Sequence, residues 1–310
     1  MLWLSVAAGL VLLTLGAEAL IQGASALARK LGMSELLIGL TLVGFGTSSP
    51  ELVSSVGAAL AGSPGVAVGN VVGSNIANIL LILGLSALIA PIAVGEKGFR
   101  RDAIVLAGAT LAAIGVSLTG EFGRLAGALF LAALLAYLGW AYLSEKANGQ
   151  AQAEAASAPH NSTFISILFA VAGLGLLGFG AHLLVTGAIG IAKVFHVSET
   201  LIGLTIVALG TSLPELVTSV MASLRGKSDL ALGNIVGSNI YNLFGILGAT
   251  ALIHPVAAPA DIVHFDNWVM LAATAVLILF AITRNRIERW EGAVLTTAYA
   301  GYIIYLAASA

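Results

Sequence analysis

The sequence predicts an all-α integral membrane protein: ten transmembrane helices in two inverted-topology five-helix repeats, with broken helices at a polar site shared between them. Three observations carry this expectation. Of 310 residues, 59% are hydrophobic and only 9% charged, whereas a soluble domain carries about 25% charged residues. The apolar residues form runs of the roughly 20 residues that a spanning helix needs. Residues 34–93 also align without gaps on residues 198–257, with 37 identities in 60 positions.

The runs fall at 2–28, 35–61, 66–90, 103–119, 124–143, 163–192, 199–224, 229–253, 267–283 and 290–308. The first is too long for the apolar part of a cleaved signal and has no basic segment before it, so it reads as a retained helix. Several runs exceed one bilayer thickness and are expected to tilt or break. The one clearly polar connection, 144–162, contains Ser144-Glu145-Lys146-Ala147-Asn148-Gly149-Gln150 and reads as a linker. It separates a first repeat (1–143) from a second (163–310). Lys and Arg concentrate on the cytoplasmic side of membrane proteins. With the amino terminus outside, the inner connections hold Arg29, Lys30, Lys97, Arg100, Arg101, Lys146, Arg225, Lys227, Arg284, Arg286 and Arg289. The outer ones hold only Arg124 and Lys193. Both termini are therefore expected outside and the linker in the cytoplasm.

The repeat preserves polar residues that chance similarity between apolar helices would not preserve. Ser34, Glu35, Thr41, Thr47, Ser48, Pro50, Glu51, Ser55, Asn70, Ser74, Asn75 and Asn78 recur 164 positions later, from Ser198 to Asn242. An odd number of helices per repeat makes the second copy enter from the opposite side. The loop charges agree: Ala61 and Ser63, outside, correspond to Arg225 and Lys227, inside, while Arg100 and Arg101, inside, correspond to His264 and Phe265, outside. Such inverted repeats are typical of secondary transporters, with the site near the midplane.

The conserved core of each copy is Gly44-Phe45-Gly46-Thr47-Ser48-Ser49-Pro50-Glu51 with Gly73-Ser74-Asn75 and Asn78, and Ala208-Leu209-Gly210-Thr211-Ser212-Leu213-Pro214-Glu215 with Gly237-Ser238-Asn239 and Asn242. Proline removes a backbone donor and clashes with the preceding turn, so each stretch is expected to break its helix. The break should free carbonyl oxygens near Gly44, Thr47, Ala208 and Thr211, beside hydroxyls, amides and one carboxylate. All are hard oxygen donors, suited to sodium and calcium. A carboxylate at the bilayer centre costs at least about 2.5–3.5 kcal/mol on insertion scales, so two facing acids need counter-charge. One calcium balances both, as do two sodium ions or two protons. Loads that share the same carboxylates exclude each other, which is the physical root of exchange.

At these residues the chain resembles the cation/calcium exchanger superfamily and, within it, the prokaryotic sodium/calcium exchangers. The two Gly-Thr-Ser-x-Pro-Glu stretches, each followed by Gly-Ser-Asn, look like that family's paired alpha repeats. The resemblance implies sodium/calcium antiport by alternating access in a prokaryotic inner membrane. It implies Glu51 and Glu215 as central ligands, with the Thr47 and Thr211 carbonyls joining for calcium. Ser48, Ser74, Ser212 and Ser238, with backbone oxygens at Gly44 and Ala208, look like sodium ligands, and Asn78 and Asn242 match the remaining polar positions. Some members carry Asp where this chain has Asn242, so one carboxylate is absent. The family's proton/calcium branch resembles Gly-Asn-x-x-Glu at the acid, which favours sodium as counter-ion here. A proton/calcium or other sodium-coupled cation antiporter is the alternative. A calcium channel fits an inverted pseudo-symmetry with a closed acid pair less well, and no nucleophile with an oriented base points to an enzyme.

The remaining residues have plainer readings. Asn70 and Asn234 read as structural, Asn75 and Asn239 as either ligands or partners of broken backbone. Glu18 reads as a gate, polar anchor or helix contact, and Glu35 and Glu199 as helix caps. The absence of cysteine excludes disulfides and thiolate metal sites, and a net charge of −2 gives no sign of nucleic acid. The expected partners are the lipid bilayer and the transported calcium and sodium, with no cofactor and a monomeric chain.

Overall fold

The computed structural model describes residues 2–147, 163–195 and 208–309, and these are almost entirely helical. In chain order the helices are α1 (Leu2–Leu31), α2 (Glu35–Thr47), α3 (Ser49–Leu60), α4 (Pro64–Ile89), α5 (Glu96–Ser117) and α6 (Arg124–Ala147). Then come α7 (Thr163–Val194), α8 (Ala208–Thr211), α9 (Leu213–Leu224), α10 (Ser228–Ile253), α11 (Ile262–Arg284) and α12 (Arg289–Ser309). Among the described residues, seven helices are long and apolar enough to cross a membrane: α1, α4, α6, α7, α10, α11 and α12. The pair α2–α3, bent by 44°, is an eighth if taken as one span.

The sequence expectation of ten runs differs from this tally for two physical reasons. Helix α5 starts seven residues before the apolar run at 103, and its first turns carry Arg100, Arg101 and Asp102. Helix α9 is only 12 residues long, and the start of the run at 199–224 lies outside the described residues, as does most of the expected linker.

Helices α1 and α7 lie antiparallel along their length, because glycine lets their backbones touch. A β-carbon at Gly16 would stand 2.8 Å from the Leu177 amide nitrogen, and one at Gly180 would stand 2.9 Å from that of Leu13. Gly9, Gly16 and Gly23 repeat every seven residues on α1, and their counterparts 164 positions on are Gly173, Gly180 and Gly187 on α7. Contacts are reciprocal: Gly9 meets Gly180, and Gly16 meets Gly173.

The same reciprocity marks the short strands. Ile92–Ala93 (β1) pairs antiparallel with Arg286–Ile287 (β4), and Glu121–Phe122 (β2) with Val256–Ala257 (β3). Each ladder joins the first half of the chain to the second. The Thr110 and Thr274 hydroxyls, 164 positions apart, lie 3.4 Å from each other, as equivalent groups on a two-fold axis do. Helices α4 and α10, the most buried of the long helices, form the centre. Both widen into a π-helical turn, at Asn78–Leu83 and Tyr241–Ile246. Such turns often mark functional positions in a helix.

Candidate ion site

The site begins with two helix breaks. Ser48 separates α2 from α3 with φ −83° and ψ 7°, and Ser212 separates α8 from α9 with φ −89° and ψ 8°. The following helices carry Pro50 and Pro214 in their first turn, where the missing amide proton costs nothing. Glu51 and Glu215 therefore also sit in a first turn. There the helix dipole favours negative charge by about 0.3–1 kcal/mol, and more where burial is partial.

The two halves clasp each other's acids. The Ser48 hydroxyl donates to Glu215 Oε1 at 2.7 Å, and the Ser212 hydroxyl donates to Glu51 Oε1 at 2.9 Å. Each serine lies three residues before the acid of its own half, so each acid is held from the opposite half. Both carboxylates are 1% exposed, and the second oxygen of each, Oε2, is buried without a hydrogen-bond partner. Among the described residues no group of three or more acidic or imidazole side chains forms, so no third acid joins this pair.

Around the clasp, Ser212 Oγ also reaches Ser74 Oγ at 3.4 Å, and Ser238 donates to the Gly44 carbonyl at 3.4 Å. The Gly44 carbonyl accepts in addition from the Ser48 amide at 3.1 Å and from the Thr47 hydroxyl at 3.4 Å. It is thus already engaged, although the sequence led us to expect freed backbone there. The structure brings together Glu51, Glu215, Ser48, Ser212, Ser74, Ser238, Thr47 and Gly44. Asn78 and Asn242 are buried at the start of the two π-helical turns, and each has a side-chain oxygen with no partner. The Thr211 hydroxyl is likewise buried and unpartnered. Ala208 opens the short helix α8. Among the described residues no hydrogen bond links these last four positions to the clasp.

Asn70 and Asn234 are structural, as the sequence suggested. Asn70 Nδ2 donates to the Glu51 carbonyl at 3.2 Å and to Ser55 Oγ at 2.9 Å. Asn234 repeats this with the Glu215 carbonyl at 3.4 Å and Ser219 Oγ at 2.8 Å. Sequence reading did not find that Asn234 Oδ1 accepts from the Thr47 hydroxyl at 3.2 Å, a bond across the halves. Asn75 and Asn239 donate back to Val71 and Ile235 carbonyls in their own helices, leaving buried, unpartnered oxygens. The cap of α2 is Ser34, whose hydroxyl accepts from the Leu37 amide; Glu35 sits in the first turn, where the sequence placed an acid, and also pairs with Lys227. Glu199 lies outside the described residues.

A cavity of about 650 Å³ opens beside the clasp. Thr47, Ser49, Pro50 and Ser54 line one wall, and Leu174 and Gly178 of α7 line another. It lies next to the α2–α3 break.

A family model for the sodium/calcium exchanger protein matches residues 1–143 and 165–308. The chain belongs to the sodium/calcium exchanger family. It is similar to CaxA of Alkalimonas amylolytica, at 42% identity over 302 residues covering 95% of each chain. It is also similar to the sodium/calcium exchanger MaX1 of Methanosarcina acetivorans, at 34% identity over 336 residues covering 96% of each. A solved structure of the sodium-calcium exchanger NCX_Mj superposes with a TM-score of 0.85 at 32% identity, covering 97% of this chain and 96% of that one. The exchanger family consists of membrane transporters rather than enzymes, in keeping with the apolar helices described above.

Proposed function

We propose that this exchanger is a secondary active antiporter that moves calcium against sodium by alternating access around one midplane site. The observation that carries the reading is the reciprocal clasp of Glu51 by Ser212 and of Glu215 by Ser48, with each Oε2 left unpartnered. Buried polar atoms almost always have partners, and carboxylate oxygens buried without any imply a cation as the missing partner. The unpartnered amide oxygens of Asn78 and Asn242 extend the same donor set. Calcium takes about 6–8 oxygen ligands. Glu51, Glu215, the Thr47 and Thr211 carbonyls and water supply that number. Sodium ions take the flanking positions: Ser74, Ser212 and the Ala208 carbonyl on one side, Ser48, Ser238 and the Gly44 carbonyl on the other. Binding at Gly44 displaces the weak 3.4 Å bond from Ser238.

In the proposed architecture, ten membrane crossings form two inverted units, 1–143 and 163–310, joined by a cytoplasmic linker at 144–162. Reciprocal α1–α7 packing, the exchanged strand pairs and the self-contact of Thr110 with Thr274 support the two-fold relation. The charge distribution supports outside termini in a prokaryotic inner membrane. The test is calcium-45 uptake into proteoliposomes under an imposed sodium gradient and, separately, a pH gradient. Uptake should follow sodium. Uptake driven by the pH gradient alone rejects sodium as the counter-ion.

A further inference from the structure

At one pair of turns the two-fold relation keeps the backbone and loses the charge. The α3–α4 turn is Ala61-Gly62-Ser63 and the α9–α10 turn is Arg225-Gly226-Lys227. Their backbones match. Gly62 and Gly226 have φ of 73° and 69°. The Ser63 amide donates to the Ala58 carbonyl at 2.9 Å, and the Lys227 amide to the equivalent Ala222 carbonyl at 2.9 Å. The side chains differ entirely. Arg225 Nη2 lies 2.7 Å from Glu18 Oε2 of α1, and Lys227 pairs with Glu35 of α2. Gln22, one turn along α1, donates to Glu18 Oε1 at 2.8 Å and orients it. Both ion pairs thus tie the end of α9, the helix that carries Glu215, to helices of the other half. Ala61 and Ser63 can form no such ties.

The two faces of the site differ in the same sense. Ser54, one turn after Glu51, lines the 650 Å³ cavity. Its counterpart 164 positions on is Thr218, one turn after Glu215, which is fully buried with an unpartnered hydroxyl. The face with the neutral turn is open next to its acid, and the face with the paired turn is closed.

We propose that Glu18–Arg225 and Glu35–Lys227 form an ionic latch that holds the passage beside Thr218 shut and biases the exchanger toward the state open beside Ser54. A strictly symmetric antiporter would populate its two states equally. Two ion pairs present on one face alone remove that equality, so the latch must break in every transport cycle. Partly exposed pairs are worth little singly, and two of them shift a two-state equilibrium by about threefold to tenfold. That size suits a bias that ion binding must overcome. The inference rests on alternating access and needs no particular membrane orientation.

The chain has no cysteine, so single thiols introduced by Thr218→Cys or Ser54→Cys report each passage directly. In proteoliposomes, labelling by a membrane-impermeant thiol reagent is timed with the reagent inside or outside. Glu18→Gln and Lys227→Met should each speed labelling at position 218 and slow it at position 54, about threefold or more when combined. Exchanging the charges, Glu18→Arg with Arg225→Glu, should restore the original rates. Lys227→Met preserves the test should Glu18→Gln fail to insert. Unchanged rates, or a rise at both positions, overturn the latch. Latch-dependent labelling at 218 from the outer side keeps the latch and overturns only the proposed orientation. Loss of all sodium dependence of labelling at both positions, with the latch effect intact, counts against the antiport reading instead.

Discussion

Glu51→Gln is the most direct perturbation of the proposed site, because it changes charge and almost nothing else. The side chain is 1% exposed, its Oε1 accepts from Ser212 at 2.9 Å, and its Oε2 has no protein partner. Glutamine has the same shape and can turn its carbonyl oxygen toward Ser212, so the clasp survives. What is lost is one unit of negative charge facing a divalent ion in a buried setting. Removing one partner of a buried charged pair costs about 3–5 kcal/mol. At roughly 1.4 kcal/mol per tenfold, calcium affinity should fall by about a hundredfold to several thousandfold. Glu215→Gln should match it, since its clasp by Ser48 at 2.7 Å is the mirror of the first. The assay is calcium titration of purified protein alongside sodium-driven calcium-45 uptake, with monodispersity by gel filtration as the folding control. A well-folded Glu51→Gln protein that retains affinity and uptake within tenfold of the parent would falsify the assignment of Glu51 as a central ligand.

Smaller perturbations separate the supporting roles. Ser48→Ala and Ser212→Ala each remove a hydrogen bond to a buried carboxylate, worth about 1.5–3 kcal/mol, and should raise the calcium Kd tenfold or more in titration. Asn234→Ala removes the bonds to Ser219, the Glu215 carbonyl and Thr47 together. It should lower the thermal midpoint by several degrees and should cost more than Asn70→Ala, since among the described residues Asn70 makes no bond across the halves. Gly16→Val forces a β-carbon to within 2.8 Å of the Leu177 amide. Overpacking of this kind costs about 1–3 kcal/mol, so the melting point should drop, whereas Gly108→Ala, with open space around it, should leave it unchanged.

The sequence made much of this molecule legible because the repeat was long and polar. Thirty-seven identities fixed the register between halves, and the register alone predicted that Ser48 and Ser212, and Glu51 and Glu215, would play matching parts. It could not reveal that the serines serve the opposite half, since a shift between copies says nothing about which copy touches which. The helix breaks were legible from Pro50 and Pro214, whose missing amide has the same effect in any fold. The engagement of the Gly44 carbonyl by Ser238 was not, because it depends on close approach of α2 to α10. The ion pair of Glu35 was not legible for a related reason. An acid after Ser34 at a helix start fits a local role, and its partner Lys227 lies 192 positions away. The start of α5 was missed because Arg100, Arg101 and Asp102 interrupt the apolar run. In the fold Asp102 Oδ1 is held by Arg101 and by the Tyr137 hydroxyl at 2.9 Å, so the helix continues through them.

The site's charge count leads to a last prediction, at Asn242. Two carboxylates balance one calcium or two sodium ions, and the exchange of these loads leaves the proposed site neutral in either form. Asn242 is 1% exposed, and neither polar atom of its side chain has a partner. Asn242→Asp is therefore nearly isosteric and breaks no hydrogen bond. It adds a third negative charge that calcium cannot balance. A carboxylate left unbalanced at this depth costs several kcal/mol, so the loaded variant must take up another monovalent cation. A proton is the most available, and sodium-driven calcium uptake by the variant should depend more steeply on pH than that of the parent. A third sodium is the other source, and it would appear as a change in the reversal potential of calcium flux at fixed sodium gradients. Both are measured in the same proteoliposomes, with Asn78→Asp as the symmetric control. If Asn242→Asp exchanges calcium at the parent's rate with neither a steeper pH dependence nor a changed reversal potential, then Asn242 lies too far from the ions to enter their charge balance. The site would then be smaller than the set of unpartnered oxygens implies.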